Sequence, residues 1–207
     1  MKYPENIHDI GVLHPDMMGF VFWKGSQRYA SVISSRPGLL SLPPGIDKTG
    51  IFVNETREQI ISVIKRLKLD CVQLHGSESP GLCSDVRSER VKIIKSFTVS
   101  ASPDFTQLEK YTGCCDYFLF DSLGLYPGGN GKSYEWSVLD RYKFPVPFFL
   151  SGGLGIHNLN EILDFRHKML AGYDFNSRLE QAPALKSVKA CRYVIQKIRE
   201  YEKTTSG

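Results

Sequence analysis

Short apolar runs and helix-like segments take turns along almost the whole chain, and this alternation constrains the fold more than any single residue. Runs that read as strands fall near Met17–Phe22, Gly50–Val53, Cys71–Leu74, Val91–Phe97, Tyr117–Phe120, Phe148–Ser151 and Tyr173–Phe175. Between them lie segments with helical spacing: Glu55–Leu67, Pro80–Arg87, Asp104–Lys110, Ile156–Leu170 and Lys186–Tyr201. A further helix is predicted over Pro4–Leu13, where Pro4 suits the first turn. Thr56 and Gln59 have capping-box spacing ahead of the run Ile60, Ile61, Ile64, Leu67. Val188, Cys191, Val194, Ile195 and Ile198 form a one-sided stripe that suits packing on a sheet. Strands joined through helices pair in parallel, with right-handed crossovers.

Two architectures satisfy that order, an open doubly wound sheet and a (β/α)8 barrel. A doubly wound sheet usually carries its Gly-rich turn after the first strand. Here Gly128-Gly129-Asn130-Gly131 and Gly152-Gly153 come late, where barrels place phosphate loops after strands seven and eight. The expected fold is therefore α/β, a (β/α)8 TIM barrel forming a single domain over residues 1–207. A barrel needs eight strands, and only seven are legible. The strand that should precede Pro4–Leu13 has no counterpart, so the first β-strand is expected to be missing from this chain.

Composition excludes several classes. Hydrophobic residues at 42% and charged residues at 23% are globular values, which argues against disorder and fibrous repeats. The apolar stretch around Phe148–Leu150 is far too short for a membrane span. The net charge of +4 is mild and dispersed, so no nucleic-acid partner is expected. Residues Met1–Asn6 contain no apolar core of a secretory signal, and a cytoplasmic location is expected. The five cysteines have no CxxC spacing and read as reduced thiols. A zinc site needs clustered Cys and His, which His8, His14, His75, His157 and His167 do not supply, so no metal is expected.

Polar residues gather at the predicted strand ends. Asp121 closes an apolar strand, a common way to carry an acid to a barrel rim; a helix cap or a loop ion pair would explain it equally simply. Arg28, just past the first legible strand, could clamp a substrate carboxylate through its guanidinium fork, or be a solvated loop charge. Gln73 and His75 end the Cys71–Leu74 run. Ser151-Gly152-Gly153 and Asp174-Phe175-Asn176-Ser177 offer small residues and backbone amides for a phosphate, although paired glycines alone are as often simple turns.

Taken together these segments resemble the phosphoribosylanthranilate isomerase family. The resemblance rests on Gly19-Phe20-Val21-Phe22 with Ser26-Gln27-Arg28-Tyr29 and on Val72-Gln73-Leu74-His75-Gly76. It continues through Phe120-Asp121 with Gly128–Lys132 and Trp136, then Leu150–Leu154, then Asp174, Ser177 and Glu180. It covers nearly the whole chain in the family's order. It implies an Amadori rearrangement of a phosphosugar, N-(5-phosphoribosyl)anthranilate, in tryptophan biosynthesis. On that reading Asp121 is the general acid and Arg28 holds the anthranilate carboxylate. Gly152, Gly153, Asn176 and Ser177 line the phosphate site; Gln73, His75, Gly129, Gly131 and Asp174 share the substrate pocket. No cofactor is needed, since hydrogen moves only within the substrate. To donate at neutral pH, the Asp121 carboxyl is expected to titrate above the usual carboxylate range.

The family's general base is a cysteine in a Lys-Ile/Val-Cys-Gly strand that this chain lacks; it opens with what resembles the segment after that motif. Cys71, Cys114 and Cys115 are expected near the opposite end of the barrel, and Cys83 and Cys191 in outer helices. Weak isomerase activity follows, with a catalytically inactive phosphosugar-binding homologue as the alternative. Another phosphate-handling barrel, such as a synthase using Lys95, is a more distant one. Two exposed strand edges would also favour association into homo-oligomers.

Overall fold

Successive strand residues face two different apolar environments, and that period of two arranges everything else. The computed structural model describes residues 1–35, 41–100, 103–121 and 136–205. Strands β1 (Met17–Val21), β2 (Asp47–Phe52), β3 (Cys71–Leu74), β4 (Lys92–Thr98), β5 (Tyr117–Asp121), β6 (Phe148–Ser151) and β7 (Leu170–Tyr173) pair in chain order, all parallel. Inward-facing Cys71, Ile94 and Leu119 pack together with Met17, Tyr117 and Phe149 as an inner plug. Outward-facing residues such as Phe20, Val72, Ile93, Phe118, Phe120 and Phe148 form the larger core against the outer layer. Burial of each such side chain stabilises by about 1.5–3 kcal/mol over exposure. This is the curled parallel sheet of a (β/α)8 barrel, as the alternation predicts.

Helix α1 (Pro4–Gly11) begins with proline in its first turn and buries Ile7 and Ile10. A short turn, α2 (Ser31–Ser35), follows β1. Helix α3 (Arg57–Leu67) carries the capping box at Thr56 and Gln59 and buries Ile60, Ile61, Ile64 and Leu67. Helix α4 (Pro80–Arg87) is capped by the Ser79 hydroxyl, which accepts from Leu82 N at 3.2 Å. Helices α5 (Leu159–Asp164) and α6 (Val188–Thr205) complete the outer layer. No helix among the described residues is long and apolar enough to cross a membrane.

Several boundaries differ from the sequence reading. Asp104–Lys110 is a 3-10 turn, Phe105–Tyr111, begun by the Asp104 carboxylate accepting from Thr106 N. The helix expected over Ile156–Leu170 stops at Asp164, because Phe165 turns extended and its ring meets Trp136 at 6.0 Å. The chain freed after it enters the sheet early, so the last strand is Leu170–Tyr173 rather than Tyr173–Phe175. Gly172, a poor strand former, hides that strand from a pattern search. Strand β2 starts at Asp47 rather than Gly50, since pairing with β1 outweighs the polar Asp47-Lys48-Thr49 segment. Helix α6 starts at Val188 because Lys186 is already committed to a hairpin.

That hairpin, β8 (Glu180–Ala182) with β9 (Leu185–Lys186), spans the junction between the sheet's edges. The Asn6 side chain from α1 satisfies the Lys186 backbone in both directions: Nδ2 donates to its carbonyl at 2.9 Å and Oδ1 accepts from its N–H at 2.8 Å. Arg28, beyond β1, meets Glu180, beyond β7, at 2.6 Å. Among the described residues no strand lies between β1 and β7, so these side chains close the ring.

Candidate active site

Parallel strands deliver their carboxyl ends to one face, and the register decides which residues meet there. Asp121 is the last residue of β5, beside Thr98 of β4 and Ser151 of β6. It shares the inward face of Leu119, two residues earlier, and is buried. From β3, Gln73 Nε2 donates to Ser96 Oγ at 3.1 Å and stands 2.8 Å from His75 Nδ1. A glutamine amide can only donate at that contact, so His75 Nδ1 accepts and the proton sits on Nε2. Nε2 lies 3.5 Å from Asp121 Oδ2. Gln73 thus sets the imidazole tautomer that presents an N–H toward the carboxylate.

A second carboxylate adjoins the first. Asp174, just beyond β7, accepts from Ser151 Oγ at 3.0 Å, and its own N–H donates to Leu150 O at 2.7 Å. Burial pushes its carboxyl above the ordinary range, with the nearby Asp121 charge adding to the rise and the Ser151 hydroxyl opposing it.

Arg28 sits in the turn Ser26–Tyr29, which folds back so that Ala30 N donates to Val21 O at 2.8 Å. Its Nε donates to both oxygens of Glu180 at 3.0 Å, and Nη2 donates at 2.6 Å. Lys186 Nζ also donates to Glu180 Oε1, at 3.2 Å, and to the carbonyl and side-chain oxygens of Asn176 at 2.9 and 2.6 Å. Burial opposes ionisation of Glu180, yet the Arg28 and Lys186 charges hold its carboxyl below the usual value. Burial pulls the Lys186 amine down despite Glu180.

Gly152 and Gly153, after β6, have φ of +90° and +69°. In that left-handed region glycine is favoured, and two such residues in a row turn the backbone amides in a way that side chains would resist. Asn176 and Ser177 open the 3-10 turn Ser177–Leu179 after β7 and are exposed on the same face. Gly129 and Gly131 lie outside the described residues.

The expected residues Arg28, Gln73, His75, Asp121, Gly152, Gly153, Asp174, Asn176 and Ser177 therefore all follow or end strands at one face. Lys95 does not join them: it faces the outer layer, 2% exposed, paired with Glu78 at 3.2 Å. Ser96 and Lys186 take part without having been singled out in the sequence, whereas Ser151 belongs to the glycine segment named there. Ser96 could have been found by extending the period-two pattern to the strand end. For Lys186 no local signal exists. Beside the mouth, His75, Ser77, Ser96, Thr98, Gln107 and Lys110 border a cleft of about 350 Å³.

A curled parallel sheet with carboxylates, an imidazole and a glycine turn at its carboxyl rim defines a protein of the β/α-barrel class with a polar, acid-bearing rim. Residues 6–197 match the family model of N-(5'phosphoribosyl)anthranilate (PRA) isomerase, and the chain belongs to that family. It is 39% identical over 200 residues to N-(5'-phosphoribosyl)anthranilate isomerase of Phocaeicola vulgatus, covering 97% of this chain and 95% of that one. The crystal structure of phosphoribosyl anthranilate isomerase from Thermotoga maritima superposes with a TM-score of 0.80 at 30% identity, covering 97% and 96% of the two chains. A phosphoribosyl anthranilate isomerase in complex with reduced 1-(o-carboxyphenylamino)-1-deoxyribulose 5-phosphate gives 0.79 at 28% identity, covering 97% and 95%.

Proposed function

We propose that this chain, as one barrel-type domain, serves the isomerisation of N-(5-phosphoribosyl)anthranilate to 1-(2-carboxyphenylamino)-1-deoxyribulose 5-phosphate, an Amadori step of tryptophan biosynthesis. The observation that carries the reading is the inward-facing Asp121 carboxyl at the rim, 3.5 Å from an imidazole whose tautomer Gln73 sets. Asp121 protonates the furanose ring oxygen, the C1–O bond breaks, and the anthranilate nitrogen carries the resulting iminium. Loss of the C2 proton to a base then gives the enolamine, which tautomerises to the ketose. His75 Nε2, 3.5 Å from the carboxyl, helps to position the acid. Arg28, braced along its Nε–Nη2 edge by Glu180, receives the anthranilate carboxylate on the remaining Nη1–Nη2 edge. The Gly152-Gly153 turn with Asn176 and Ser177 takes the phosphate through N–H and O–H donors, with Lys186 supplying positive charge behind Asn176.

One observation favours a second reading, a phosphosugar-binding protein that turns over slowly. Cys71 is the first residue of β3, Cys114 and Cys115 precede β5, and Cys83 and Cys191 lie on α4 and α6. Among the described residues no thiol stands at the mouth to take the C2 proton.

Both readings are tested by assaying isomerisation with the 207-residue chain and with a version extended at Met1 by Lys-Val-Cys-Gly. The extended protein is expected to be faster by about 10²-fold or more, the usual worth of a general base. In that extended protein Asp121→Asn is expected to lower kcat by about 10²–10⁴-fold. Turnover of the two unsubstituted proteins within about threefold of each other would remove the slow-turnover reading, since a lost base costs far more. An Asp121→Asn variant at full rate would remove the assignment of the acid.

A further inference from the structure

Three thiols that the sequence keeps apart meet in the outer layer. Cys83 projects from α4, and Cys114 and Cys115 come from the turn between the Phe105–Tyr111 segment and β5. Their sulfurs all lie within 4.8 Å of one another, with Cys114 and Cys115 Sγ 4.0 Å apart. A metal–sulfur bond of roughly 2.3 Å places the sulfurs of a planar three-coordinate site at about √3 times that length, or about 4.0 Å. The thiols therefore stand close to the spacing that such an ion requires.

Their surroundings set the coordination number. Cys83 is 0% exposed, and Cys114 and Cys115 are 5% each, so the sulfurs sit just beneath the surface and shielded from water. Tyr111 O takes the Cys114 S–H at 3.4 Å and the N–H groups of Cys114 and Cys115 at 3.1 and 3.2 Å, and the Ser84 side chain also hydrogen-bonds Cys114. Both are hard, neutral oxygens, poor fourth ligands for a soft ion. Soft sulfur ligands select soft ions, and three without a fourth suit ions that accept trigonal coordination.

We infer that Cys83, Cys114 and Cys115 form a binding site for one thiophilic d10 ion of the Cu(I) type, held in three-coordinate sulfur geometry away from the barrel mouth. As each metal–sulfur bond forms, a coordinating thiol gives its proton to solvent, and no electron is exchanged. The site joins α4 to the start of β5, so occupancy links two elements of the outer layer.

The experiment is anaerobic titration of the reduced full chain with Cu(I) delivered from a competing chelator, repeated with Zn(II). One Cu(I) per chain is expected, with apparent affinity at least about tenfold above that for Zn(II), which prefers a fourth ligand. Cys83→Ser and Cys115→Ser are each expected to weaken Cu(I) binding about tenfold or more, while Cys71→Ser and Cys191→Ser leave it unchanged. Circular dichroism of the metal-free proteins shows which variants fold, and Cu(I) should raise the Tm of the parent more than that of Cys83→Ser or Cys115→Ser. Absence of stoichiometric uptake, preference for Zn(II), or loss through Cys71→Ser equal to that through Cys83→Ser would each overturn the assignment.

Discussion

Replacing Lys95 by methionine tests the most deeply buried charge pair in the molecule's described residues. Lys95 and Glu78 side chains are 2% and 1% exposed, with Nζ 3.2 Å from Oε2. The ammonium also donates to the carbonyls of Leu74, Gly76 and Ser96 at 3.1, 2.8 and 3.1 Å. Methionine keeps most of the apolar stem, so the loss is one of charge and donors rather than of packing. Removing one partner of a buried pair costs about 3–5 kcal/mol, because the other charge stays behind without compensation. Glu78 still accepts from Asn54 N at 2.9 Å and from Gly76 N at 2.9 and 3.0 Å. Those amides soften the loss, which places Lys95→Met near the lower end, about 3 kcal/mol. For a chain of this size that is about 6–12 °C in Tm. Urea unfolding of Lys95→Met, Glu78→Gln and the double variant measures the coupling, expected to be about 1–3 kcal/mol. A single-variant cost below about 1 kcal/mol, or additivity of the two, would refute a buried pair that needs both members.

Asp174→Asn is expected to raise Tm near neutral pH. Because burial raises the folded carboxyl's pKa, the folded state holds its proton more tightly than the unfolded chain does. Stability is lost as pH rises from about 3.9 through the folded value. Asparagine removes that loss, so the gain should shrink toward about pH 4, and a larger gain there would contradict the sign. Glu180→Ala strips partners from Arg28, Lys186 and Ala184 N. It should lower stability by about 1.5–3 kcal/mol in urea melts, the range for hydrogen bonds to charged groups. Thr56→Ala removes the capping hydroxyl of α3, which accepts from Gln59 N at 3.3 Å, and should cost about 1 kcal/mol with no change in the urea m-value.

Much of this molecule is written in local patterns. Thr56, Gln59 and the isoleucines after them announce α3 because caps and a 3.6-residue period are short-range properties. Asp121 could be placed at the rim because a parallel strand carries its last residue to one face whatever its neighbours are. The boundaries that slipped depend on distant partners: Asp47 becomes a strand residue only through β1, and Phe165 leaves its helix only because Trp136 is there to meet it. The same distinction runs through the site. Gln73, His75 and the paired glycines are motifs, whereas the brace on Arg28 comes from a residue 152 positions away. The thiol cluster joins Cys83 to a turn some thirty positions later. No spacing rule reaches across such intervals, since loop lengths between elements are not fixed by the chemistry they bring together.

A backbone ladder carries no net charge, whereas the junction from Arg28 to Glu180 is held by two opposite ones and yields only to acid strong enough to protonate a carboxyl held below its usual value. Such acid would slacken the circumference at this clasp while the six interstrand seams of the sheet hold, and salt, which screens a partly buried pair only weakly, would not. The guanidinium that fastens the clasp is also the group offered to a ligand's carboxylate, so whatever loosens the ring also moves the hand that receives its guest.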